Sequence, residues 1–127
     1  MGCKIFGPRD HVHHHVGAEE SSCFYFPTLQ LAELAKHCES FVARAARIEV
    51  NDVDAPLHRH EGATIVFITA GSGTFKTAEG ERVVNVGDVV YVPPMTPHLS
   101  IADPHTTMIE WVVYIGEESD VQKSLPV

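Results

Sequence analysis

Between Phe41 and Ile115 the chain is cut into short β-branched runs by turn residues at close intervals, and this punctuation limits the fold more than any other feature. Ile65-Val66-Phe67-Ile68 closes on Gly71-Ser72-Gly73. Thr74 to Thr77 stops at Ala78-Glu79-Gly80. Val83, Val84 and Val86 run into Gly87-Asp88, and Val89-Val90-Tyr91-Val92 is broken by Pro93-Pro94. Phe41 to Val50 reads as a strand followed by turns at Asn51-Asp52 and Asp54-Ala55-Pro56; His98 to Ala102 is short and extended, and Thr107 to Ile115 is the last strand. Short strands spaced by turn signals, with almost no helix, predict an all-β sandwich or barrel. The one helix-like stretch lies near residues 28–38. Leu31, Leu34, Ala35 and Cys38 recur at helical spacing and Thr28 is placed as N-cap, so this is either a short helix on the outside of the barrel or a loop.

A chain of 127 residues predicts one domain able to bury a core without staples. The pattern divides it into a His-rich arm (1–22), a barrel (23–116) and an acidic tail (117–127) that leaves the domain. Cys23-Phe24-Tyr25-Phe26 reads as a first strand, ended by Pro27, that covers a sheet edge or exchanges between subunits. The net charge of −8 offers no basic footprint for nucleic acid and would be repelled by an anionic membrane. The apolar runs are too short to span a bilayer. Cys3, Cys23 and Cys38 are an odd number with no Cys-x-x-Cys spacing, the N-terminus has no apolar secretory run, and Phe6 stands where a myristoylation signal needs Ser or Thr. A reduced, cytoplasmic setting is expected. The His11-Val12-His13-His14-His15 run reads as a solvated terminus, with metal capture by a His-rich tract as its alternative.

Leu57-His58-Arg59-His60 carries the chemistry. In a strand, residues i and i+2 share a face, so His58 and His60 project together. Imidazole nitrogens at about 2.0–2.1 Å suit Zn, Fe, Ni, Cu or Mn better than Ca or Mg. His98 is the best third ligand, because it follows Pro93-Pro94-Met95-Thr96-Pro97, whose prolines fix the approach.

These residues resemble the two motifs of the cupin superfamily. The first, G-x5-H-x-H-x3,4-E-x6-G, is met by His58, His60 and Gly71; the second, G-x5-P-x-G-x2-H-x3-N, by Gly87, Pro93 and His98. Asp52 and Met95 replace glycines, Thr64 replaces the glutamate and Ala102 the asparagine. Fifteen residues separate the motifs, as in compact bacterial members. The resemblance implies a double-stranded β-helix (jelly-roll) barrel and a divalent transition metal (Fe, Zn, Ni or Mn) on His58, His60 and His98. Three neutral imidazoles leave the metal its full charge and one more open position, which favours a substrate that chelates as an anion. Three-histidine cupins resemble dioxygenases of diketones or thiols; isomerase, lyase or cyclase chemistry is the non-oxidative counterpart. The expectation is a mononuclear metalloenzyme acting on a small oxygenated, chelating substrate. The alternative is a barrel that binds or senses a small ligand or metal without turnover.

Thr64 and Glu110 are the candidate catalytic residues. The Thr64 hydroxyl could orient a metal-bound water. Glu110, on the opposite parity from Trp111, either faces solvent or a structural partner, the reading favoured on sequence, or faces the cavity as a general base. Glu61 should be a solvated charge. His105 reads as a surface turn residue that becomes a fourth ligand only if its loop folds inward. The assembly expected is a homodimer.

Overall fold

A computed structural model describes residues 2–7, 12–15, 22–25 and 31–127. In chain order the strands are β1 (Lys4–Phe6), β2 (Val12–His15), β3 (Ser22–Tyr25), β4 (Phe41–Val50), β5 (His58–Arg59), β6 (Ala63–Ala70), β7 (Ser72–Thr77), β8 (Gly80–Asn85), β9 (Val89–Val92), β10 (His98–Ala102), β11 (Met108–Glu117) and β12 (Leu125–Pro126). They form two five-stranded antiparallel sheets, ordered β1-β9-β6-β11-β4 and β12-β5-β10-β7-β8, and a separate β2-β3 pair.

Strand alternation builds the interior. On β6, Thr64, Val66 and Ile68 are buried, while Ile65 and Phe67 take the other face. On β11, Met108, Glu110 and Val112 are buried and Trp111 stays 46% exposed. Phe75, Val84, Val90, Val92 and Ala102 complete the core between the sheets. β9 is buried along its whole length. Its inward residues join that core, and Val89 and Tyr91 meet Leu31, Leu34, Ile65 and Phe67 in a second cluster on the outside. A strand covered on both faces reads as an unbroken apolar run, which is why Val89–Val92 shows no alternation.

Two neighbouring strands of one sheet, β7 and β10, come close at Gly73. A Cβ built there would lie 2.1 Å from the Ile101 carbonyl oxygen, a main-chain atom that cannot swing away. Gly73→Ala is therefore expected to cost upwards of about 2 kcal/mol, measured as a lowered urea midpoint; unchanged stability would show that β7 and β10 can part.

Three features depart from the sequence reading. The helix α1 is only Ala32–Ala35, with Leu31 at its N-cap and no side-chain capping bond; Thr28 lies outside the described residues. A single turn without a cap has little helical stability of its own, and it is held through Leu31 and Leu34. Within the 1–22 arm, Lys4–Phe6 pairs with β9, and Cys3 and Ile5 pack on the core. The His-rich run is strand rather than loose chain from Val12 to His15, with His14 opposite Cys23 and His13 opposite Phe24. The 117–127 segment does not leave the barrel. Val121 is 1% exposed, and Leu125 and Pro126 pair with Arg59 and His58. Buried Val121 and the free edge of β5 give this acidic stretch somewhere to dock.

Candidate metal centre

The three histidines arrive by different routes. His58 sits on β5 directly opposite His98 on β10, and such cross-strand pairs bring side chains to about 5 Å. His60 follows two residues on, on the same face. The ring centroids are 4.5 Å apart for His58 and His98, 5.1 Å for His58 and His60, and 5.3 Å for His60 and His98. One nitrogen from each lies within 4.8 Å of the others.

The turn before His98 is held from the first motif: the Met95 N–H donates to the His60 carbonyl at 2.7 Å. Met95 has φ 60°, so it keeps the left-handed backbone of the motif glycine it replaces. A side chain there is strained by roughly 1–2 kcal/mol, which the turn's fixed ends must offset. Asp52, the other glycine replacement, accepts a hydrogen bond from the His105 N–H at 2.7 Å. His105 is accordingly an exposed loop residue and stands outside the histidine cluster.

Main-chain carbonyls set the tautomers. His60 Nδ1 lies 2.9 Å from the Lys123 oxygen, and His98 Nδ1 lies 2.8 Å from the Thr96 oxygen. A carbonyl only accepts, so in both rings Nδ1 carries the hydrogen and Nε2 keeps a free lone pair. Burial, and then the neighbouring His58 and His60, push the His98 pKa down to about 4 against the hydrogen bond to Thr96. Burial and then His60 lower that of His58. Both rings are neutral at pH 7, the form that ligates. Phe75 stacks on His98 at 5.8 Å and 11° and blocks rotation of the ring.

These rings line a cavity of about 280 Å³ whose walls include Thr64, Val66, Phe75, Ser100, Glu110 and Tyr114. Thr64 Oγ1 is buried with no hydrogen-bond partner among the described residues. Glu110 is 4% exposed; it is not the solvent-facing charge the sequence allows, and it lines this cavity with Ser100 as a structural partner. Burial raises its pKa, and the hydrogen bond from Ser100 Oγ to Oε2, 2.8 Å, works in the opposite sense. Tyr114, raised by burial and then by Glu110, meets His60 edge-on at 5.3 Å. Glu61 is exposed, as expected.

Ser100, Phe75, Tyr114 and the Lys123 carbonyl were not singled out from sequence. Ser100 had a usable signal, since it shares the strand face of His98 two residues on. The carbonyl had none. The donor set fits a transition metal: three imidazoles converge and a buried hydroxyl lacks a partner among the described residues.

A double-sheet β-barrel that gathers three imidazoles on one inner wall, beside a small cavity, defines a class of compact ligand- or metal-holding barrels. The family model for the cupin domain matches residues 45–114, and the chain belongs to the cupin family. Its barrel is similar to a cupin 2 domain-containing protein from Halorhodospira halophila, with TM-score 0.58 and 13% identity over 100% of this chain and 84% of that one. It is also similar to the DMSP lyase DddQ from Ruegeria pomeroyi, with TM-score 0.53 and 26% identity over 70% of this chain and 43% of the lyase. In sequence it is 38% identical over 56 residues to gentisate 1,2 dioxygenase 1 of Aquipseudomonas alcaligenes, which is 43% of this chain and 16% of the dioxygenase. No helix among the described residues is long and apolar enough to cross a membrane.

Proposed function

We propose that the chain is a mononuclear three-histidine metalloenzyme acting on a small oxygenated substrate that chelates the metal. The observation that carries this reading is the cluster itself: three imidazoles with one nitrogen from each within 4.8 Å of the others, on the wall of a cavity. His58, His60 and His98 would hold the ion. A divalent transition metal bound there supplies Lewis acidity and a template for an anionic chelate.

The chain's own residues do the rest. Val66 and Phe75 keep water from the substrate's apolar part. The Thr64 hydroxyl, which has no partner among the described residues, is free to donate to a substrate or water oxygen. Glu110, raised by burial and held by Ser100, is the group placed to take a proton. The likenesses to a dioxygenase and a lyase support oxidative or eliminating chemistry on a chelated small molecule. Cys3 and Cys38 are free thiols, which supports a reducing, cytoplasmic setting. A homodimer belongs to the same reading: β4 forms an outer edge of its sheet, and Phe41 and Trp111 are 43% and 46% exposed.

The test is elemental analysis of protein purified without added metal and after reconstitution with Fe, Ni, Zn or Mn. One equivalent is expected. A stoichiometry near zero under every condition overturns the metal centre. With metal bound, oxygen uptake over diketones, thiols and hydroxy acids identifies oxidative turnover; product analysis without oxygen uptake identifies the non-oxidative class. Metal binding with no turnover in either assay would make the barrel a binding or sensing module.

A further inference from the structure

Glu110 is the one buried acid among the described residues, and Ser100 is its one side-chain partner there. No ion pair among the described residues includes it. Its hydrogen bond from Ser100 reaches Oε2 alone, and Oε1 receives none from the described residues. Its strand neighbours on the same face are Met108 and Val112. Oε1 is not among the fully buried atoms that lack a partner, so it opens on the cavity that Glu110 lines. Its donor comes from what occupies the cavity, water or a ligand.

The position of the carboxylate relative to the histidines follows from strand geometry. Ser100 lies two residues beyond His98 on β10, on the same face, roughly 7 Å further along. Glu110 Oε2 is 2.8 Å from the Ser100 hydroxyl, so the carboxylate sits about one strand repeat from the third imidazole. The wall between them is flat and apolar: Phe75 pairs with Ser100 across the sheet and stacks on His98, with Val66 and Val112 also lining the space.

We infer that the ligand of this cavity is a small, flat, ring-sized molecule with two ends: chelating oxygens toward His58, His60 and His98, and a hydroxyl on its far side that donates to Glu110. Ser100 acts as a positioning residue, holding one carboxylate oxygen so that the other faces the ligand. The inference rests on the metal-centre reading and adds the second recognition point. A cavity of about 280 Å³ has the volume of roughly nine waters at about 30 Å³ each, which admits one ring with its substituents.

Kojic acid and allomaltol test it. Both present the same anionic hydroxyketone chelate on a six-membered ring. Kojic acid has a far-side hydroxymethyl group where allomaltol has a methyl. Zinc is used because it is redox-inert, and its stoichiometry is measured first on the same samples. Titration calorimetry of the zinc-loaded protein is expected to show kojic acid binding about tenfold or more tighter, the worth of a hydrogen bond to a charged acceptor. Glu110→Leu is expected to bind the two probes alike, to keep its affinity for allomaltol, and to be no less stable than the wild type. If the wild type binds the probes equally, or if Glu110→Leu keeps the preference, the inference fails while the metal centre stands. If no zinc binds, the metal-centre reading fails, and the inference with it. A strongly destabilised Glu110→Leu would assign Glu110 a structural role and overturn the inference by a second route.

Discussion

Replacing His98 by alanine is expected to abolish stoichiometric metal binding and to leave the barrel folded. His98 is one of three imidazoles, and the other two cannot close a site alone. Affinity is expected to fall by more than about 100-fold, since loss of an outer-shell partner by itself costs 10–100-fold. The stability cost is about 1–2 kcal/mol, within the range of ordinary point changes, because β10 is held by its pairing with β7 along five residues. Zinc titration against a competing chelator reads the first effect and urea unfolding the second. Unchanged affinity would remove His98 from the site.

The same variant has a pH signature in the metal-free protein. Folding holds the His98 pKa near 4, below its ordinary value of 6.5. As pH falls below about 6.5, the unfolded chain gains a proton that the folded chain refuses, so the wild type loses stability progressively down to about pH 4. His98→Ala should lose that part of the slope.

Removing residues 123–127 is expected to weaken metal binding without touching a proposed ligand. The Lys123 carbonyl accepts from His60 Nδ1 at 2.9 Å, and β12 pairs with the strand that carries His58. Without them, His60 can turn or change tautomer, and β5 becomes a sheet edge. The expected loss is about 10–100-fold in zinc affinity, read by the same competition titration, with the melting transition still cooperative because Val121 and the core remain. A truncated chain that binds zinc as tightly as the full chain would show that Thr96, Phe75 and the β5–β10 pairing fix the rings unaided.

The two predictions fall on opposite sides of what the sequence makes legible. His98 was visible because a proline-stiffened approach and a known motif spacing point at it. Lys123 was not, because a main-chain carbonyl leaves no mark in the side-chain pattern, and an acidic stretch looks solvated until a partner strand is found for it. Glu110 lies between. Its i±2 neighbours Met108 and Val112 are apolar, so strand parity placed it inside. The charge argued for solvent, and parity prevailed because Trp111 takes the outer face. Thr64 stands in the sequence as a missing glutamate; in the structure it is a buried hydroxyl without a partner among the described residues, facing a cavity that gains its carboxylate from β11 instead.

By itself the sequence determined the all-β barrel, the approximate places of most strands between Phe41 and Ile115 and the three histidines, since each follows from local rules: alternation, turn residues and fixed spacing along one strand. Only the tertiary structure decided that the C-terminal stretch closes over β5, that Lys123 orients His60, and that Glu110 and Ser100 share the cavity with the histidine cluster. Those facts depend on which distant strands pair and in what register, and no local pattern encodes that.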